Sequence, residues 1–122
     1  MKTTQGKVVT AFMALANMSR KPLNSFTAYK LFRLKKKLSS IVEFQREQEI
    51  KIVEEVGGSL SETGEVQFKD KEARAKFVEK QRELGELECE VEGEKISMMP
   101  KELPEVSLAD MEALEEFIDW KE

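Results

Sequence analysis

Apolar residues recur along this chain at helical spacing, in blocks separated by short polar breaks. Val8, Ala11, Phe12, Leu15 and Met18 fall on one face at about 100° per residue, with Thr10 and Asn17 opposite. This predicts a first helix from Thr3 or Thr4 to about Ser19. Arg20-Lys21-Pro22 ends it, because the residue before a proline is pushed out of the helical region. Asn24 or Ser25 then caps a second helix, and Leu23 is placed to staple against its first turn. No breaker follows until Gly57-Gly58, so this helix runs for about 32 residues, or about 48 Å. Leu31, Leu34, Leu38, Ile41, Gln45, Gln48 and Ile52 repeat at 3,4 spacing, the seam of a coiled-coil-like hairpin with this helix as its spine.

Residues 57–64 read as a polar loop, followed by a short strand at 65–68 with Val66 and Phe68 on one side. Asp70 caps a third helix whose stripe is Ala73, Phe77, Gln81 and Leu84, with Gly85 at the position of a left-handed C-terminal cap. This helix is expected antiparallel to the second half of the spine, with the first helix beside the first half. Leu87, Cys89 and Val91 alternate with Glu86, Glu88, Glu90 and Glu92, the period of a strand with one wet face. Gly93-Glu94 either turns this strand into a hairpin with residues 95–98, or Gly93 marks a bulge. Pro100 and Pro104 bracket a linker. Ser107 with Asp110 starts a last helix with Met111, Leu114 and Ile118 as its stripe, and Val106 stapled against Met111.

The elements sum to a mostly α (α+β) single domain, residues 1–122. It comprises a long central helix in an antiparallel helical hairpin, shorter N- and C-terminal helices, and a small two- or three-stranded antiparallel β element. Residues 1–56 form the basic helical part, 57–99 the loop, third helix and β element, and 100–122 the acidic C-terminal helix. The charged fraction of 36% suits long helices that each bury one stripe. Lys2 and Lys7 before the apolar run 8–16 mimic a secretory leader, but the run is short and reads better as an amphipathic helix. No run approaches the roughly 20 apolar residues that span a bilayer. The chain is accordingly expected to be soluble and not secreted.

Candidate chemistry is thin. The chain has no histidine and one cysteine, so the common proton shuttle and metal ligand are missing and no intramolecular disulfide can form. Cys89 lies between Glu88 and Glu90, which raise a thiol's pKa rather than lower it, and reads as a small buried hydrophobe. Glu43 and Glu47 sit one helical turn apart, but among lysines on a wet face. Gly57-Gly58 follows a helix, the wrong context for a phosphate loop. No catalytic residue, metal site or cofactor is therefore assigned. Gln45 and Gln48 interrupt the seam and Gln81 the facing stripe, as a polar layer that fixes register.

Charge segregation is the distinctive feature. Residues 1–42 hold nine Lys or Arg and no acid, a net +9, while the remainder is net −13, for −4 overall. On the spine, Lys30, Arg33 and Lys37 share a flank with Phe26 and Phe44. These five residues are the candidate partner-binding surface. An acidic protein partner or internal neutralisation is favoured by the net acidity. The alternative is nucleic-acid binding, with cations on the phosphates and aromatics on the bases.

The chain resembles a family of small uncharacterised proteins of tailed bacteriophages and prophages. The likeness is carried by Lys21-Pro22-Leu23 after a short helix, by Thr27-Ala28-Tyr29-Lys30-Leu31 opening a long charged helix, and by Gly64-Glu65-Val66 before the third. The acidic strand 86–92 and the closing Ser107-Leu108-Ala109-Asp110-Met111-Glu112-Ala113-Leu114 complete it. The resemblance brings no catalytic residue. It implies a phage setting, with a place in the host bacterial cytoplasm or the virion, and a non-enzymatic role in assembly, through a phage structural or assembly protein or through self-association.

Overall fold

A computed structural model describes residues 1–121. The chain is mostly helical, with small two-stranded β ladders. In order, the elements are β1 (Lys2–Thr4), α1 (Gln5–Met18), α2 (Ser25–Glu55), β2 (Ser59–Leu60), β3 (Val66–Gln67), α3 (Lys71–Gly85), β4 (Glu88–Glu90), β5 (Ile96–Met98), α4 (Leu108–Leu114) and β6 (Ile118–Trp120). One turn of 3-10 helix, Pro100–Glu102, separates β5 from α4.

The helix starts follow local chemistry. The side chains of Thr4, Asn24, Asp70 and Ser107 each accept a hydrogen bond from the free backbone N–H three residues on, which caps α1, α2, α3 and α4 in turn. Gly57 closes α2 with a φ of +83°, a conformation that a β-carbon disfavours.

The core lies where α1, the first half of α2 and the C-terminal segments meet. Val8, Ala11, Leu15 and Met18 from α1 join Leu31, Leu34, Leu38 and Val42 from α2 in one buried cluster. Met98, Leu114, Phe117 and Ile118 complete it from the C-terminal side.

Several details of the pattern resolve differently from the sequence reading. The buried positions on α2 are Thr27, Leu31, Leu34, Leu38, Val42, Gln45 and Val53, with Val56 just beyond its end, while Ile41, Gln48 and Ile52 are half-buried. Leu31, Val42 and Val53 lie eleven residues apart, as do Leu34, Gln45 and Val56. An eleven-residue repeat, at about 3.67 residues per turn, favours a right-handed winding, whereas a heptad would impose a left-handed supercoil. The acidic strand β4 does not form a hairpin with residues 95–98. It pairs antiparallel with β1, placing Cys89 opposite Thr3, and Gly93 takes a φ of +84° in the turn that follows. β2 and β3 form a second antiparallel ladder: β3 falls within the strand expected at 65–68, while β2 comes from residues expected to be loop. β5 pairs with β6 in parallel, so the β structure is three separate ladders rather than one antiparallel element. Ile118 consequently belongs to a strand, and α4 stops at Leu114. Nor is Gly85 a left-handed cap: it ends α3 beside Gly6, where a β-carbon on Gly6 would stand 3.1 Å from the Gly85 carbonyl oxygen. The missing side chain of Gly6 lets the start of α1 approach the end of α3.

α3 lies along the far half of α2. Lys80 reaches Glu55 at 3.1 Å, Gln81 reaches Glu49 at 3.3 Å, and the rings of Phe68 and Phe77 pack at 5.3 Å. The polar layer is thus Gln45, Glu49 and Gln81, because Gln45 also donates to Glu49, at 3.1 Å.

Candidate interaction surface

The five residues of the basic flank separate into two groups. Phe26, Arg33 and Phe44 face solvent, Phe26 with 83% and Phe44 with 43% of its surface exposed. Lys30 and Lys37 are half-buried and turn toward the C-terminal part of the chain. The Lys30 ammonium meets the Glu102 carboxylate at 3.0 Å. Lys37 crowds Gly93 so closely that a β-carbon there would lie 2.9 Å from its Nζ.

Tyr29 joins the outward group, with 60% of its surface exposed and the Arg33 guanidinium 5.9 Å from its ring centroid. It sits one helical turn before Arg33, so its place on this face is a matter of four-residue spacing. Lys36, also exposed, lies beside them. Phe26 to Phe44 therefore forms a row about 27 Å long, aromatic at both ends and cationic between. Neither Arg33 nor Lys36 makes an ion pair among the described residues.

Internal neutralisation of the basic third is partial. Lys7 lies 3.7 Å from Glu116, Asn17 donates to Asp110 at 3.5 Å, and the Lys21 ammonium donates to the Glu105 carbonyl. With Lys30 and Glu102, these contacts fasten the acidic C-terminal residues over α1 and the start of α2. The Glu102 carboxyl accepts from the Met99 backbone N–H at 2.6 Å and from Lys30, and both hold it below the ordinary carboxylate range. Lys35 is drawn away, its ammonium 5.5 Å from the Phe12 ring.

Two apolar hollows flank this helix. One, of about 260 Å³, lies between α1 and α2 and is lined by Leu15, Leu23, Ala28, Leu31 and Phe32, with Lys35 at its edge. The other, of about 320 Å³, lies at the far end among Ile50, Val53, Leu60, Val66 and Phe77. Cys89 is half-buried on β4, and desolvation pushes its thiol pKa up. Among the described residues there is no group of three His, Cys, Asp or Glu placed to hold a metal ion, and no helix is long and apolar enough to cross a membrane.

No family model, no curated protein and no solved structure matches this chain.

Proposed function

We propose that the chain is a non-enzymatic interaction module, an assembly accessory in a tailed-phage setting, that docks an acidic protein through the outer face of α2. In this reading α2 and α3 form an antiparallel hairpin that holds the face straight. The carrying observation is the exposed row Phe26, Tyr29 and Phe44, interleaved with Arg33 and Lys36. Large aromatics left in water are costly, and aromatic residues with arginine are the types that dominate interface energetics. Cations without acids beside them favour a negative partner and steer its approach.

The alternative nucleic-acid reading has fewer cations to draw on than the flank first offers. A phosphate backbone is held by several simultaneous Lys and Arg contacts. Here Lys30 is paired with Glu102 and Lys37 is packed against Gly93, inside an acidic stretch.

The test uses two fluorescent probes of equal charge, a peptide of alternating Glu and Leu and a single-stranded oligothymidylate. Anisotropy at physiological salt should show the peptide bound more tightly. Arg33→Glu with Lys36→Glu should weaken that binding roughly tenfold. Tighter binding of the oligonucleotide, with a steep salt dependence, would overturn the docking reading and favour the nucleic acid.

A further inference from the structure

The charge is divided in three along the chain. Residues 1–42 are net +9, residues 43–85 net −3, and residues 86–122 net −10, with thirteen acids against three bases. Part of the last segment is consumed internally, by Lys7 on Glu116 and Lys30 on Glu102. Its other part stands free. Around β4, Glu88, Glu92 and Glu94 are exposed and make no ion pair among the described residues. Leu87, half exposed, lies between Glu86 and Glu88 in the sequence. β1 covers one edge of β4, and no strand among the described residues covers the other.

The outer face of α2 carries the complementary pattern, aromatics with unpaired cations against an apolar side chain with unpaired carboxylates. We propose that the outer face of α2 docks a second copy of this chain, which presents its Glu86–Glu94 segment to Phe26, Tyr29, Arg33 and Lys36. The proposal rests on the docking reading above and names its partner. Charge complementarity selects the copy: the excess of cations, net +9, sits in residues 1–42 and the excess of carboxylates, net −10, in residues 86–122 of the same molecule. The contact joins two different surfaces. Two copies can satisfy both surfaces in a closed two-fold pair, whereas a head-to-tail arrangement leaves one of each open and propagates. Salt weakens either form, since the paired charges lie at the surface.

Sedimentation velocity of the purified full chain, with no other component, tests this. The wild type should form species larger than one chain as concentration rises at about 50 mM salt, and revert to single chains at about 500 mM. Two variants break one surface each: Arg33→Glu with Lys36→Glu, and Glu88→Lys with Glu92→Lys. Each should sediment as a single chain with unchanged circular dichroism, since all four positions are exposed. An equal mixture of the two should regain the larger species, which a merely misfolded variant would not do. A wild type that stays single throughout overturns the proposal, and so does association that survives in both variants, which would place the contact elsewhere, for instance at the cleft around Leu60. The Glu–Leu peptide separates the two readings. Peptide binding by a wild type that never self-associates removes the second copy and keeps the docking face. Absence of both removes the face itself.

Discussion

The two halves of α2 share one sequence pattern and live in different surroundings. Leu31, Leu34, Leu38 and Val42 belong to a buried cluster that also draws on α1 and on Met98, Leu114, Phe117 and Ile118. Beyond Val42, the buried apolar residues of α2 and its neighbours reduce to Val53, Val56, Ala73 and Leu84, none of them in that cluster. What supplements them is polar: the Gln45–Glu49–Gln81 contacts, the Lys80–Glu55 pair, and Arg82 between Glu79 and Glu86. Exposed ion pairs contribute about 0–1 kcal/mol each, so the far half holds together on much less than the near half. An amphipathic stripe shows which face of a helix is turned inward; how much waits there to meet it depends on segments remote in the chain.

The largest expected effect tests that contrast directly. Phe117 is fully buried, and Phe117→Ala should cost about 3–5 kcal/mol in a chemical denaturation experiment. Val53→Ala removes two methyl-sized groups from the far half and should cost about 1–2 kcal/mol. Equal losses at the two sites would break the comparison. Hydrogen exchange should sharpen it, with amides of residues 45–55 opening at lower free energy than those of residues 31–42.

What could be read in the sequence follows the same division between local and remote. All four helices were legible because each opens on a side chain that caps its own first turn, and α1 buries Val8, Ala11, Leu15 and Met18 of its expected stripe, with Phe12 half-buried. The repeat on α2 was ambiguous because Ile41-Val42 and Ile52-Val53 are adjacent apolar pairs. A seven-residue and an eleven-residue reading differ only in which member of each pair is chosen, and packing chose Val42 and Val53. The same one-residue shift puts Glu49 rather than Gln48 in the polar layer. Strand pairing was not legible: β1 meets β4 across most of the chain, and nothing in the alternation of residues 86–92 names its partner. Ile118 sits four residues after Leu114, a helical interval, yet the backbone leaves the helix and lays 118–120 beside β5. Of the candidate surface, Phe26 and Phe44 were read from spacing and Tyr29, at the same spacing, was missed, while the capture of Lys30 by Glu102 spans 72 residues and was not legible.

A smaller effect concerns the polar layer of the far half. Gln45 is buried, and its Oε1 meets no hydrogen-bond donor among the described residues. An unsatisfied buried acceptor is destabilising, so Gln45→Leu should raise stability by about 1 kcal/mol and narrow the gap between the two halves. Gln48→Leu, at a half-buried position outside the layer, should stay within about 0.5 kcal/mol of the wild type. Thermal melts of the two variants make the check. A loss of stability in Gln45→Leu would mean that its bond to Glu49 outweighs the orphaned oxygen.

The smallest effect distinguishes how the two halves respond to acid. Glu102 accepts from the Met99 N–H first and from Lys30 second, and its pKa is depressed by both. Glu79 in the far half is likewise depressed, by Arg82. A carboxyl whose folded pKa lies below its unfolded value of about 4.3 contributes stability that is fully present above that value. The contribution is lost as pH falls through the folded pKa, so both groups should make the protein less stable on acidification. They differ in what they join. Glu79 and Arg82 are three residues apart on one helix, a pairing that a partly helical unfolded chain also makes. Glu102 and Lys30 tie the C-terminal segment to α2, a contact that exists only in the folded state. Denaturation midpoints measured from neutral pH down to about pH 3 should therefore fall less steeply in Glu102→Gln than in the wild type. Glu79→Gln should leave the slope almost unchanged. An acid slope that is identical in Glu102→Gln and the wild type would show that this clasp adds nothing to the near half, whose hold on its C-terminal segment would then rest on the buried Leu114, Phe117 and Ile118 and on the contacts of Lys7, Asn17 and Lys21.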